Sequence, residues 1–321
     1  MKVEYDVEAG ALATFGVRAR AAAVVRWTTA DDLRRLPEDL PRPLKVIGGG
    51  SNLLFTGDFG GTLLVREGAG RIERESELIW RADGNVELDA LCAALAEAGV
   101  RGLENLSGIP GTVGGALVQN AGAYGSETCS HLLDVRLLEL ESGRELTVDR
   151  QWLAPDYRTS RLQSEPGYVV LSATFKAEPA TSPANVDYGP LRSLSPHESP
   201  MTIREAVLAT RASKLPDVKQ TGSAGSFFRN PEVPAELLRP EMPRYELANG
   251  LFKVPAAWLI DQCGLKGQRR GGAMVWPDQP LVIVNAEGTA TAADILELEQ
   301  LIVNTVRERF NITLTPEVEH I

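Results

Sequence analysis

Gly108-Ile109-Pro110-Gly111-Thr112-Val113-Gly114-Gly115, continued by Asn120-Ala121-Gly122-Ala123-Tyr124-Gly125, is the stretch on which the reading of this 321-residue chain turns. An ordered glycine costs backbone entropy and packs nothing, so this density is unfavourable unless something nearby needs the missing side chains. A bound cofactor is such a neighbour, with backbone amides as phosphate donors. The plainer alternative is an irregular loop packed on a sheet. A second glycine turn, Ile47-Gly48-Gly49-Gly50-Ser51-Asn52, follows a predicted strand. It is not the dinucleotide fingerprint, because Leu53 stands in the place of the third glycine and no helix follows. Alone it reads equally well as a tight turn. The two segments strengthen each other, since a long diphosphate cofactor needs several contact loops.

Composition narrows the class. Hydrophobic residues make up 43% and charged residues 24%, a globular profile at a length suited to two or three domains. No apolar run is long enough to span a bilayer, and the acidic start Met1-Lys2-Val3-Glu4-Tyr5-Asp6 lacks the core of a signal peptide. A cytoplasmic protein is expected. Cys92, Cys129 and Cys263 are too far apart for a metal site, and their odd number suits a reducing compartment. With three histidines and no paired motif, no metal is expected. The net charge of -10 argues against a nucleic-acid partner but leaves room for a small anion on local arginines.

Short strands at Leu44–Ile47 and Thr62–Val65 and a helix capped by Thr28-Thr29 through Leu33 precede residue 85. Leu88, Leu91, Cys92 and Leu95 recur at helical spacing before Gly99. Leu132–Leu140 and Tyr168–Phe175 alternate like half-buried strands. Pro, Ser, Thr and Asn accumulate from Ala177 to Pro200, as in a linker or long loop. Beyond it, Thr202 and Glu205 form a capping box for a helix to about Ser213. Pro255 and Gly264 bracket a short helix, and Thr291 and Asp294 open a long amphipathic one. Strands are expected at Leu281–Val284 and Ile312–Val318. Without regular βαβ alternation, this is an α+β pattern.

Three further segments can carry chemistry. In Tyr157-Arg158-Thr159-Ser160-Arg161, Arg158 can fork onto a carboxylate, although a solvated arginine is the plainer reading. Gly225-Ser226-Phe227-Phe228-Arg229-Asn230-Pro231 sets a hydroxyl beside two aromatics that can exclude water around a proton donor. A serine bonded to backbone at a strand start fits as well. In Pro316-Glu317-Val318-Glu319, strand alternation sends both glutamates to one face, and a solvated acidic edge is the plainer reading.

In this order the segments GGGSNLLF, GLENLSGIPGTVGGALVQNAGAYGSE, YRTSR, KLPD, GSAGSFFRNP, AAWLIDQCGLKG and PEVEHI resemble the MurB family, the UDP-N-acetylenolpyruvoylglucosamine reductases of peptidoglycan synthesis. The resemblance runs from Thr14 to Val318. It implies an α+β protein with a two-part FAD-binding domain of the vanillyl-alcohol-oxidase/PCMH type (residues 1–84 and 85–199) and a smaller α+β substrate-binding domain (200–321). It implies noncovalent FAD, NADPH as co-substrate, a nucleotide-sugar substrate and a monomer. Cofactor contacts are expected from Gly48, Gly49, Gly50, Ser51, Asn52, Gly108, Ile109, Pro110, Gly111, Gly114, Gly115, Asn120, Gly122, Ala123 and Tyr124.

By the same resemblance, Ser226 is the general acid, and Arg158 with Glu317 stabilises an enolate-like intermediate. Tyr157, Lys214, Asn230 and Glu287 match substrate positions. Tyr188 matches a tyrosine on a loop that closes over UDP, which turns the segment near 180–195 from spacer into lid. Gly114-Gly115-Ala116-Leu117 and Trp276 depart from the expected pattern and leave the catalytic trio intact. An oxidase on the same scaffold shares the glycine turns but not GSFFRNP or the terminal PEV. A non-catalytic flavin module predicts loss of one of the trio, and all three are present.

Overall fold

The computed structural model describes Met1–Ile321 and resolves them into two compact units, each assembled from three chain segments. The first comprises Met1–Val7, Ala22–Gly49 and Gly60–Arg211. Its four-stranded sheet has the order Lys2–Glu8, Arg20–Trp27, Phe59–Arg66, Leu44–Ile47, the last pair parallel. Its five-stranded sheet is antiparallel, in the order Glu145–Asp149, Leu132–Glu139, Tyr168–Lys176, Ile79–Asp83, Ile72–Arg74. Along the chain the two sheets part between Arg66 and Ile72.

Tyr168–Lys176 explains how the unit is layered. Val169 and Leu171 join Ala23, Val25, Trp27 and Leu64 in one core, while Val170, Ala173 and Phe175 join a second core with Leu88, Leu91 and Leu117. The register shifts at Leu171, which breaks the expected period of two, and both faces are covered, so the strand is buried from Val169 to Phe175 and not half-buried. Helices line both cores, α1 (Ala30–Arg34) the first and α2 (Leu88–Glu97) the second. In α1, Thr29 and Asp32 form a reciprocal capping box. In α2, Leu88, Leu91, Cys92 and Leu95 are buried, and Gly99 turns the chain away at φ 71°. The glycine stretch itself contains α3 (Val113–Gln119), which sequence reading did not assign. Thr112 caps it through Gly115 N, and Asn120 ends it in a left-handed conformation. Two glycines in seven residues weaken a helix, but a Cβ on Gly114 would stand 3.0 Å from Gly84 O. Close packing, not propensity, sets that residue.

After α4 (Arg150–Leu153) and α5 (Arg161–Ser164), the Pro- and Ser-rich segment folds into an ordered loop with its own small core. Ala184, Val186 and Leu191 pack on Ile203 and Val207 of α6 (Pro200–Ala212). The start of α6 corrects the expected capping box: Ser199 Oγ accepts from Thr202 N at 3.0 Å, and Pro200 takes the first turn.

The second unit comprises Glu8–Ala21, Gly50–Phe59 and Ala212–Ile321. Its main sheet has the order Gly222–Ser226, Val282–Asn285, Ala273–Val275, Arg269–Arg270. α7 (Ala256–Gln262) and α8 (Ala292–Phe310) cover it. Thr291 and Asp294 cap α8 as expected, and Ile295, Leu298, Ile302 and Val306 are fully buried. Four such side chains bring on the order of 6–12 kcal/mol of burial before entropy is counted. Ile312–Val318 is not the expected ladder strand. It is extended, with Ile312, Leu314 and Val318 buried, but outside the pairing of Glu319–His320 with Leu53–Leu54 it has only a single bridge from Pro316 to Phe228. Pro316 has no N–H to continue a ladder.

Candidate active site

In the first unit the two glycine turns meet backbone to backbone. A Cβ on Gly49 would lie 2.8 Å from Gly111 Cα, and one on Gly48 would lie 2.7 Å from Thr112 Oγ1. Both Gly48 and Gly49 are exposed, as are Pro110 and Gly115, while Ile109, Gly111, Gly122, Ala123 and Tyr124 are half-buried. The result is an open cradle of peptide edges in which the Thr112 hydroxyl faces Gly48, which fits a diphosphate-linked cofactor such as FAD. Gly108, Gly114 and Gly122 are also explained by protein packing. Gly108 backs onto Leu208 and Arg211, Gly114 onto Val170, and Gly122 onto Ser126 O.

Asp89, which the sequence reading passed over, holds the start of this stretch. Its Oδ1 accepts from Gly108 N at 2.6 Å, and its Oδ2 accepts from Arg204 at 2.9 Å. The Arg204 hydrogen bond holds the carboxyl below the usual range against the opposing effect of burial. At the other end, buried Asn105 donates to Tyr124 O and Asn185 O, both at 2.8 Å. It thus ties the glycine stretch to the loop that carries Tyr188. Tyr124 and Tyr188 meet edge to face with centroids 6.3 Å apart, and burial raises the Tyr124 phenol. Buried Arg101 pairs with Glu104, donates to Ala180 O at 3.1 Å and also reaches Glu198 O, so one guanidinium holds both ends of the loop. Arg101 and Asn105 are buried and Asp89 is partly exposed, and each is held by partners distant in the chain, a pattern that spacing alone does not reveal.

Arg158 is no solvated surface arginine. It is half-buried, adopts φ 57°, donates to Gly122 O at 2.6 Å and lies over the Tyr157 ring. A left-handed arginine is strained, and such strain concentrates at functional sites.

In the second unit, Ser226 ends the first strand of the main sheet, opposite Val282. Gly225, at φ 69°, sits within a register break between Ser223 and Ser226. The break leaves Ser226 exposed while Phe227 and Phe228 are buried. The aromatics thus serve the core and do not enclose the hydroxyl. Glu317 N donates to Phe227 O at 2.8 Å, so Glu317 and Ser226 are set by adjoining backbone. Asn52 fixes the same segment: its side-chain amide donates to Glu317 O at 3.1 Å, and its carbonyl accepts from Glu319 N. Ser51 is half-buried in that turn, and Gly50 is buried. Arg158 belongs to the other unit.

The substrate candidates of this unit divide. Lys214 is exposed, and its carbonyl accepts from the Trp276 indole at 3.1 Å, which gives the departing Trp276 a place in the KLPD turn. Asn230 caps α7, its Oδ1 accepting from Ala256 N at 2.9 Å. Glu287 forms an exposed ion pair with Arg269 at 2.9 Å, an ordinary surface arrangement.

Residues 21–149 match the family model of an FAD binding domain, and residues 217–321 match that of the UDP-N-acetylenolpyruvoylglucosamine reductase C-terminal domain. Cradle, fold and match together define a flavin-dependent oxidoreductase. The chain is 39% identical, over 95% of its length and 93% of the relative's, to a UDP-N-acetylenolpyruvoylglucosamine reductase of Burkholderia vietnamiensis. The Paraburkholderia xenovorans reductase of the same name is equally similar, at 39% over the same shares. The crystal structure of the Thermus caldophilus reductase, MurB, superposes with a TM-score of 0.71 at 29% identity, covering 100% of this chain and 99% of that one. The chain belongs to the UDP-N-acetylenolpyruvoylglucosamine reductase (MurB) family.

Proposed function

We infer that this protein reduces the enolpyruvyl ether of UDP-N-acetylglucosamine to UDP-N-acetylmuramate in peptidoglycan synthesis, with FAD as cofactor and NADPH as reductant. Similarity over 95% of the chain, to a relative of that name, carries the reading. FAD supplies a carrier that takes a hydride from NADPH and passes it to the substrate. The glycine turns at 48–50 and 108–115 are the part of this chain suited to holding it.

The chain's own residues act on the substrate. Arg158 holds the carboxylate beside the reacting double bond, where negative charge grows as the hydride arrives. Binding that strengthens in the transition state is what accelerates the step. Glu317 shares that role, and Ser226 donates the proton that quenches the carbanion. A serine hydroxyl is a poor acid in water, so Ser226 requires a neighbouring dipole or partner that stabilises the alkoxide it leaves. The exposed hydroxyl at the bent strand end supports this assignment better than a structural one. Tyr188, Lys214 and Asn230 are proposed to engage the nucleotide sugar, with Tyr157 beside them. Glu287, already paired with Arg269, is the weakest member of this set. A monomer working in the cytoplasm fits the reading, and no helix is long and apolar enough to cross a membrane.

The test is a pair of half-reactions. Purified protein is expected to be yellow, or to become so with FAD. Ser226→Ala is expected to leave reduction of the flavin by NADPH intact and to slow product formation at least about 100-fold. Equal loss in both halves would assign Ser226 a structural role, and a protein that never binds FAD would overturn the reading.

A further inference from the structure

We propose that Asn120, expected above as a cofactor contact, is instead a positioning residue for Arg158, with Glu127 as its orienting partner. The inference rests on the role given to Arg158 above. Asn120 is fully buried at the end of α3, and its side chain is spent on the protein. Its amide donates to Glu127 Oε2 at 2.8 Å and to Asp156 O at 3.1 Å, while its oxygen accepts from Cys129 N at 3.2 Å. Two acceptors face one end of the amide and an N–H faces the other, which settles its orientation.

The Asp156 carbonyl is the hinge of the arrangement. Asp156 and Thr159 exchange backbone hydrogen bonds, Asp156 N to Thr159 O at 3.0 Å and Thr159 N to Asp156 O at 3.2 Å. Tyr157 and Arg158 occupy the two residues between them, so Asn120 holds the turn that presents Arg158. Ser160, just past the turn, is tied to the same helix through Val118 O at 2.8 Å. The loop closes on the other side. Arg158 donates to Gly122 O, Gly122 pairs with Glu127 in a short hairpin, and Glu127 accepts from Asn120. Each link restrains a residue at φ 57° that would relax on its own. Displacements of about 1 Å in such groups cost on the order of 100-fold in rate, so a buried amide with no ligand contact can control the step.

Asn120→Gly tests this without adding backbone strain, because Asn120 already sits at φ 45°, where glycine is favoured. It is expected to slow reoxidation of the reduced flavin by substrate about 10–100-fold, with FAD affinity and the rate of flavin reduction by NADPH within about twofold. Combined with Arg158→Ala, it should add little to the loss caused by Arg158→Ala alone, since both act through one guanidinium. Weakened FAD binding with both half-reactions slowed, or losses that multiply in the double variant, would overturn the proposal. Arg158→Ala slow with Asn120→Gly normal overturns the Asn120 role alone; Arg158→Ala with normal reoxidation overturns both it and the reading of Arg158. Should Asn120→Gly not fold, Glu127→Ala carries the test. A smaller loss confined to the same half-reaction supports the proposal, and an unchanged rate rejects it.

Discussion

A Cβ on Gly50 would stand 1.8 Å from Leu12 O, and the residue adopts φ 63°. Neither problem can be relieved by a rotamer, so Gly50→Ala is expected to cost about 3 kcal/mol or more, read as a fall in urea midpoint. A loss below about 1 kcal/mol would mean the turn can move. Arg158 poses the opposite case, because its positive φ opposes stability while its guanidinium serves the reaction. Arg158→Gly removes the backbone strain together with the bond to Gly122 O, two effects of about 1 kcal/mol that oppose each other. Its melting temperature should therefore change by only a few degrees, while turnover falls at least about 100-fold. A large loss of stability would make Arg158 a structural residue. At this scale the sequence singles out residues only where a motif names them, as at Ser226 and Glu317. It was silent on Asp89, Asn105 and Glu127, whose importance comes from partners distant in the chain or set by a turn.

Among the elements, α8 illustrates both what periodicity reveals and what it hides. Its capping box and apolar stripe were legible in Thr291, Asp294, Ile295, Leu298, Ile302 and Val306, because helical spacing is a local property. Glu299 was not. Burial pushes its carboxyl up to about 7 and pushes the His320 imidazole down. The two lie 3.4 Å apart as an ion pair by distance, yet Glu299 Oε2 lacks a hydrogen-bond partner. With both groups driven toward neutrality, we expect an uncharged pair in the window between the lowered imidazole value and about pH 7, not a salt bridge. A carboxyl raised on folding contributes stability that is complete below its unfolded pKa near 4.3 and is lost as pH climbs through about 7. Glu299→Gln, neutral at every pH, should match the parent near pH 4 and exceed it above pH 7. The difference is on the order of 1 kcal/mol, after allowance for the group's partial exposure. Melting curves at pH 4.5 and pH 8 check this; a gap that is equal at both, or reversed, rejects the assignment. The segment at 312–318 failed as a strand for a related reason. Its alternation is real and buries three apolar residues, but pairing depends on a neighbour that no local pattern discloses.

At the scale of the whole molecule, the second unit is not contiguous in sequence: it draws on Glu8–Ala21 and Gly50–Phe59 as well as Ala212–Ile321. The borrowed pieces are not decoration. Phe15, Val17 and Leu54 are at most 2% exposed within the core built on α7 and α8, and Phe15 meets Phe227 edge to face. Asn285 donates to Phe15 O at 3.1 Å, and Ser223 N donates to Thr14 O at 3.1 Å. The terminal Ile321 is bound at both ends of its peptide, its N–H to Leu54 O and its carbonyl to Thr56 N. Removing the first two segments leaves these groups exposed and strips three large apolar side chains, on the order of 5–9 kcal/mol of burial, from a piece of about 110 residues. Domains of that size are stable by about 5–15 kcal/mol, so the loss is comparable with the whole. A fragment spanning 212–321 is therefore expected to lack a cooperative thermal transition and dispersed amide resonances, even though a single family model covers 217–321 as one domain. Adding peptides of residues 8–21 and 50–59 in trans should restore part of that order. If the fragment alone unfolds cooperatively, the second unit is an independent contiguous domain and the N-terminal segments merely rest on it.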